Sequence, residues 1–319
     1  MKREVSSALA LIVALAGCRG GSRASSLGAS STAQPGASAP VAGRDAPTPN
    51  PRPKRAPMTP FDVPGLDGLA EKPLIALWER DPWLAVIGSD VPTVVVYESG
   101  LVIKQSVQGK TLSRVQGRLT RAAALALAAR VDEGLAKSPA STTVTGVTDQ
   151  RRVELLVRGT DGWREASCYG LSRTGKASHG EQLQLEPPPP GFVAGYLELL
   201  ELEPPGASPW IPQELEIMLW GFEHARGAKP WPSGVPTPAS TLRPPKSGVV
   251  KHVVSGKYLP ALDAYLAGHV QEAVELNGHK WSMRYRVRVP AVDFLARATR
   301  CAVNRQMAVA QSKPPPRCD

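Results

Sequence analysis

Between Arg19 and Met58 the chain has no aromatic residue, and Ala, Pro, Ser and Gly fill 26 of those 40 positions. A stretch so poor in apolar surface cannot offset the entropy of ordering it, which excludes a packed core there and points to a disordered tether. Also missing are the short signatures of common chemistry: there is no HExxH, no CxxC, no GxSxG and no SxxK. Their absence removes the best-marked zinc-hydrolase, redox and serine-hydrolase classes, and no motif calls for a cofactor. The apolar run near the amino terminus, Ala8 to Leu15, holds only eight residues. A bilayer-spanning helix needs about 20, so this run is too short to remain as an anchor.

What that run does fit is a secretory signal, with Lys2 and Arg3 as its basic start. It ends in Leu15-Ala16-Gly17-Cys18, which resembles the lipobox of bacterial lipoproteins. The resemblance implies cleavage between Gly17 and Cys18 and a lipidated Cys18 as the first residue of the mature chain. Such a cysteine carries three acyl chains in that family, and two already give stable membrane attachment. In lipoproteins of two-membrane bacteria an aspartate after the cysteine favours the inner membrane. Arg19 stands there instead, so the resemblance implies the cell envelope, and the outer membrane over the inner one.

The tether, residues 18–58, becomes proline-dense towards its end (PTPNPRPKRAP) and reads as a semi-stiff spacer. As a flexible coil it spans about 35 Å, and fully extended about 120 Å. Its charge of +5 is half of the chain's +10. Attraction to anionic headgroups explains that excess better than nucleic acid, which a secreted protein rarely meets, so no nucleic-acid partner is expected.

From Thr59 onward tryptophans and alternating apolar residues appear. Thr93–Tyr97 and Leu101–Gln105 read as a hairpin around Gly100, and Arg151–Arg158 with Trp163–Tyr169 as a second one around GTDG. A third meets the strong turn signal Asn277-Gly278 between Val270–Leu276 and His279–Val289. Its register sets Glu275 opposite Lys280, Val274 opposite Trp281 and Val270 opposite Tyr285. Glu214–Phe222 reads as a further strand. Helices are expected over Leu119–Ala136, with Leu125 on the apolar side, and over Phe192–Leu202, Tyr258–Ala267 and Ala291–Met307. Strands paired as hairpins, without a strand–helix–strand rhythm, predict an α+β fold of antiparallel hairpins packed with a few helices. The Pro-rich stretch from Pro204 to Pro209 divides it into lobes at 59–203 and 204–312, followed by a tail, 313–319.

Candidate sites are sparse. Gly170-Leu-Ser-Arg-Thr-Gly-Lys176-Ala177 nearly spells a phosphate-binding loop, but Ala177 replaces the magnesium-binding hydroxyl and no helix pattern follows, so an ordinary glycine turn is expected. His224, His252, His269 and His279 lack the close spacing of metal ligands, so no metal site is expected. Trp210, Trp220 and Trp231 lie near one another, as a stacking platform or as core. Glu198 with Glu201, and Glu214 with Glu216, share helix and strand faces, the expected reading being a solvated surface. Alternation along KWSMRYRVRV sets Arg284, Arg286 and Arg288 on one face, an anion-binding stripe if nothing neutralises them. Of the thiols left beside Cys18, Cys301 and Cys318 are expected to form a disulfide worth about 3 kcal/mol, and Cys168 to be a buried free thiol.

These features point to a membrane-anchored lipoprotein with a non-catalytic domain that binds a protein, peptidoglycan or an anionic envelope polymer. No catalytic residue is assigned. The alternative is a secreted envelope hydrolase, which would require two or more of Glu214, Glu216, His224 and His252 to converge in one cleft.

Overall fold

The computed structural model describes residues 59–63, 65–82, 91–108, 111–180, 183–245, 248–267 and 273–310. The lipobox, the tether, His269, Val270, Cys318 and the tail lie outside the described residues.

The chain enters a first sheet at β1 (Pro73–Arg80), a strand buried at seven of its eight positions. β2 (Val94–Tyr97) and β3 (Leu101–Gln108) form the first expected hairpin, and β4 (Thr111–Arg118) continues the meander. Thr120 then caps α1 (Arg121–Ala136), its side chain accepting from the Ala123 N–H. β5 (Ser141–Thr143) follows, then the second expected hairpin, β6 (Arg152–Gly159) with β7 (Gly162–Tyr169). α2 (Pro190–Glu201) begins with proline, whose missing N–H costs nothing in a first turn. A two-residue strand, β8 (Ser208–Pro209), closes the sheet, whose order is β5-β7-β6-β1-β2-β3-β4-β8.

The second sheet is built from β9 (Glu214–Gly221), β10 (Ala228–Pro230), β11 (Val250–Ser255), β12 (Ala273–Leu276) and β13 (His279–Val287), in the order β10-β12-β13-β9-β11. α3 (Leu259–Ala267) precedes β12, and α4 (Val292–Ala310) follows β13. The turn between β12 and β13 has positive φ at both Asn277 (55°) and Gly278 (72°), the geometry that the Asn-Gly pair supplies at little cost. The register follows the sequence expectation, with Glu275 opposite Lys280 and Val274 opposite Trp281. Both sheets are mostly antiparallel, and each has one parallel pair, β5 with β7 and β10 with β12. The fold is α+β, as expected.

Alternation along β1 explains the layering. Ile75 and Leu77 face α1 and α2, in a core with Val131, Leu155, Phe192 and Tyr196. Ala76 and Trp78 face the other way, into a core shared with Leu215, Ile217 and Leu219 of β9, with Trp281 and Tyr285 of β13, and with Leu262 and Leu295. The first sheet is thus covered on both faces. Tyr97 donates to the Pro290 carbonyl at 3.0 Å and Arg114 donates to the Tyr285 hydroxyl at 3.4 Å, so polar bonds also tie the first sheet to the segment around β13. All described residues belong to one compact unit. The expected lobe boundary at 203/204 falls near the passage between sheets, although Ser208–Pro209 still pairs with β4.

One expectation about α1 is corrected. Leu125 is exposed, on the face it shares with Asp132 seven residues on, and the buried stripe is Ala124, Leu127, Ala128, Val131 and Leu135, the sector of the helix without a charged residue. Where α1 meets α2, a Cβ on Gly134 would lie 2.7 Å from the Gly191 carbonyl oxygen, and one on Gly191 would lie 2.3 Å from the Gly134 oxygen. Only glycine on both sides permits that approach.

Candidate functional site

The densest polar cluster sits where β1 leaves the core. Glu79 follows Trp78 on an apolar strand, and its side chain is 4% exposed. Burial alone would raise its carboxyl pKa, but hydrogen bonds and charges from Arg173, Arg151 and Tyr196 outweigh that and hold it below the usual value. Arg173 grips the carboxylate in fork geometry, Nε to Oε1 at 3.0 Å and Nη2 to Oε2 at 2.6 Å. Arg151 donates through Nη1 at 2.9 Å and the Tyr196 hydroxyl at 2.8 Å, both to Oε1, while Thr93 donates to Oε2 at 3.4 Å. Burial first, then the charge of Glu79, push the Tyr196 phenol far above its ordinary pKa.

Arg173 arrives there on the Gly170–Ala177 loop. The loop is a closed turn: Leu171 bridges Ala177, the Ser172 N–H donates to the Lys176 carbonyl, and the Thr174 and Lys176 N–H groups donate to Ser172 Oγ. Amides spent inside the turn do not cradle a phosphate, so this is the ordinary glycine turn expected.

Beside this cluster opens a cleft of about 520 Å³, lined by Arg173, Lys104, Ser106, Ser113 and Glu203 among others. Lys104 Nζ donates to the last carbonyls of α2, Leu200 at 2.5 Å and Leu202 at 3.0 Å. Burial lowers its pKa, partly opposed by Glu203. A second cleft, about 540 Å³, lies between Leu101 and Gln116 of the first sheet, the Trp210–Ile211 segment, and Arg288, Asp293 and Arg297.

The arginine row is corrected. Arg286 donates to Glu216 at 2.9 Å and lies 3.6 Å from Asp293, and Arg288 pairs with Glu214 at 2.7 Å and Asp293 at 3.3 Å. β9 lies beside β13 on the side away from β12, and its carboxylates neutralise the row. Arg284 donates to the Met283 carbonyl at 2.8 Å, and burial lowers its pKa. These arginines do not form an uncompensated stripe.

Nor do two or more of Glu214, Glu216, His224 and His252 line one of these clefts, as the hydrolase alternative requires. Glu214 lines the larger cleft, and Glu216 is buried in its ion pairs with Arg286 and Lys251. His252 lies opposite Ile217, on the other face of the sheet from Glu216, and hydrogen-bonds the Pro236 carbonyl at 3.0 Å. His224 packs edge-on against Phe222. Glu198 pairs with Arg130 on the helix surface. The tryptophans also separate: Trp231 packs on the core and donates to the Val235 carbonyl at 2.9 Å, Trp210 lines the larger cleft, and Trp220 sits on the outer face of the second sheet, opposite Ser282.

A second carboxyl departs from ordinary behaviour. Burial, then the nearby Glu154, push Glu165 up to about 7, against the attraction of Arg80, Arg152 and Arg300. A carboxylate pair with one raised member is the pattern of a glycosidase acid. Here Arg80 is ion-paired to Glu154, and the space between them and α4 is about 40 Å³, room for water but not for a sugar ring. Among the described residues no three His, Cys, Asp or Glu side chains converge as a metal site. Cys168 is a buried free thiol, pushed up to about 12 by burial, and Cys301 is disulfide-bonded to a cysteine outside the described residues.

No protein-family model, curated protein or solved structure matches the chain. Sequence reasoning missed Glu79, Arg151, Arg173, Tyr196 and Lys104. The one available signal was a glutamate closing the run LIALW, since an acidic residue entering a buried strand needs partners.

Proposed function

We propose that this protein is a lipid-anchored cell-envelope protein whose α+β domain binds a ligand without transforming it. The observation that carries the anchor is Leu15-Ala16-Gly17-Cys18, placed directly after a short apolar core and before a Pro- and Ala-rich tether. Three acyl chains on Cys18 hold the chain at the membrane, and the tether lets the domain stand off from it. The absence of an aspartate at position 19 favours the outer membrane.

For the domain, the supporting observation is how its polar groups are engaged. Glu79, Glu154, Glu214 and Glu216 are each held by arginine, which fixes their side chains and suits a rigid recognition surface. Metabolic labelling with a fatty acid tests the anchor. Label should enter the wild type and be lost from Cys18→Ser, and label retained by the variant would refute it.

A further inference from the structure

The cleft beside Glu79 is lined by two cations, Lys104 and the Arg173 that the Gly170–Ala177 turn presents. A guanidinium has two edges that match a carboxylate, one through Nε and Nη2 and one through Nη1 and Nη2. Glu79 takes the first edge of Arg173, and the second edge has no partner among the described residues, although the side chain is 45% exposed. The buried carboxylate thus fixes the arginine in orientation while leaving its outer edge towards solvent.

Lys104 repeats the arrangement. Two of its N–H donors are fixed on the carbonyls of Leu200 and Leu202, which leaves the third. Both cations line the same cleft with the hydroxyls of Ser106 and Ser113, which lie 2.8 Å apart. Glu203 is the acidic group on that lining, and its charge acts on Lys104. A ligand that sets an anion against Arg173 must therefore present hydroxyl or amide donors towards Glu203. A volume of about 520 Å³ is within the ordinary range for a small-molecule site.

We infer that this cleft binds a small polar molecule through its carboxylate, with the outer edge of Arg173 as the carboxylate receptor and Lys104 as a second cation. The inference rests on the reading of the domain as a binding module and gives that module its ligand class. Two sources carry such chemistry in an envelope, a sugar acid and a peptide carboxyl terminus.

The test is calorimetric titration of the full chain in neutral detergent with D-glucuronate and with N-acetyl-Ala-Ala, each beside its neutral twin, glucose or the peptide amide. At least one acid should bind, at least tenfold more tightly than its twin, and the arm that responds identifies the source. Arg173→Gln should weaken that binding at least tenfold. Ser113→Trp, at an exposed strand position outside the Glu79 network, should occlude the cleft with a similar loss and decides the matter if Arg173→Gln does not fold. Failure of both acids to bind, equal binding of acid and twin, or wild-type affinity in both variants would overturn the site and leave the lipid anchor standing. Conversion of a bound probe, followed by NMR, would instead overturn the non-catalytic reading while leaving the site in place.

Discussion

Replacing Glu79 with glutamine keeps the shape of the side chain and removes the charge on which two arginines converge. Arg173 contributes two hydrogen bonds to that carboxylate, and Arg151 and Tyr196 contribute one each. A hydrogen bond to a charged group is worth about 1.5–3 kcal/mol, but bonds to one carboxylate are not additive. Breaking a fully buried ion pair costs about 3–5 kcal/mol. Here Glu79 is buried while Arg151 and Arg173 are 38% and 45% exposed, so water re-solvates the arginines and the loss should lie near the lower end, about 3 kcal/mol. Urea unfolding of Glu79→Gln at pH 7 measures it. The pH dependence supplies a second reading. Because the folded-state pKa is held below its unfolded value, the stabilisation is present above the unfolded pKa and is lost as pH falls through the lower folded one. The wild type should therefore lose more stability on acidification than the variant. A loss below about 1 kcal/mol with parallel acid profiles would refute the energetic role of this network.

Glu165 should act in the opposite direction. Its folded-state pKa of about 7 exceeds the ordinary 4.5, so stability should fall as pH rises between those values, by at most about 3 kcal/mol before solvent screening. Thermal melting of Glu165→Gln from pH 4.5 to 8 should flatten that slope, and an unchanged slope would contradict the assignment. Gly134→Ala and Gly191→Ala should each push α1 from α2 and cost at least about 1–3 kcal/mol in urea unfolding, the range for overpacking. If either is neutral, the close approach is mistaken. Changing Arg286 and Arg288 together to glutamine should lower stability, because buried Glu216 loses its main partner, while sedimentation with anionic vesicles stays as in the wild type. Weaker vesicle binding by a variant of unchanged stability would restore the arginine stripe.

The elements legible in the sequence are those whose local chemistry is unambiguous. Asn277-Gly278 sets a turn and its register, and Gly100 and the GTDG turn mark two more. β1 carries no such mark. Covered on both faces, it reads as a continuous apolar run with neither period 2 nor period 3.6, and its neighbours are β2 and the distant β6. The facing of α1, by contrast, was open to reading, since Arg121, Arg130, Asp132 and Glu133 leave one sector of the helix free of charge, and that sector is the buried one. The site was hidden by distance: Glu79, Arg151, Arg173 and Tyr196 are spread over more than a hundred residues, and only the sheet order brings them together. The arginine row misled because alternation fixes the face of a strand and not its second neighbour. Pairing with β12 was legible, whereas pairing with β9, which brings Glu214 and Glu216, was not.

The lipid anchor is the claim on which compartment and function both rest, and mass spectrometry of the amino-terminal peptide from the membrane fraction tests it most directly. The expected result is a chain beginning at Cys18, carrying a thioether-linked diacylglycerol and an acylated amine. An amino-terminal peptide that begins at another residue, or at Cys18 with an unmodified thiol, would contradict it.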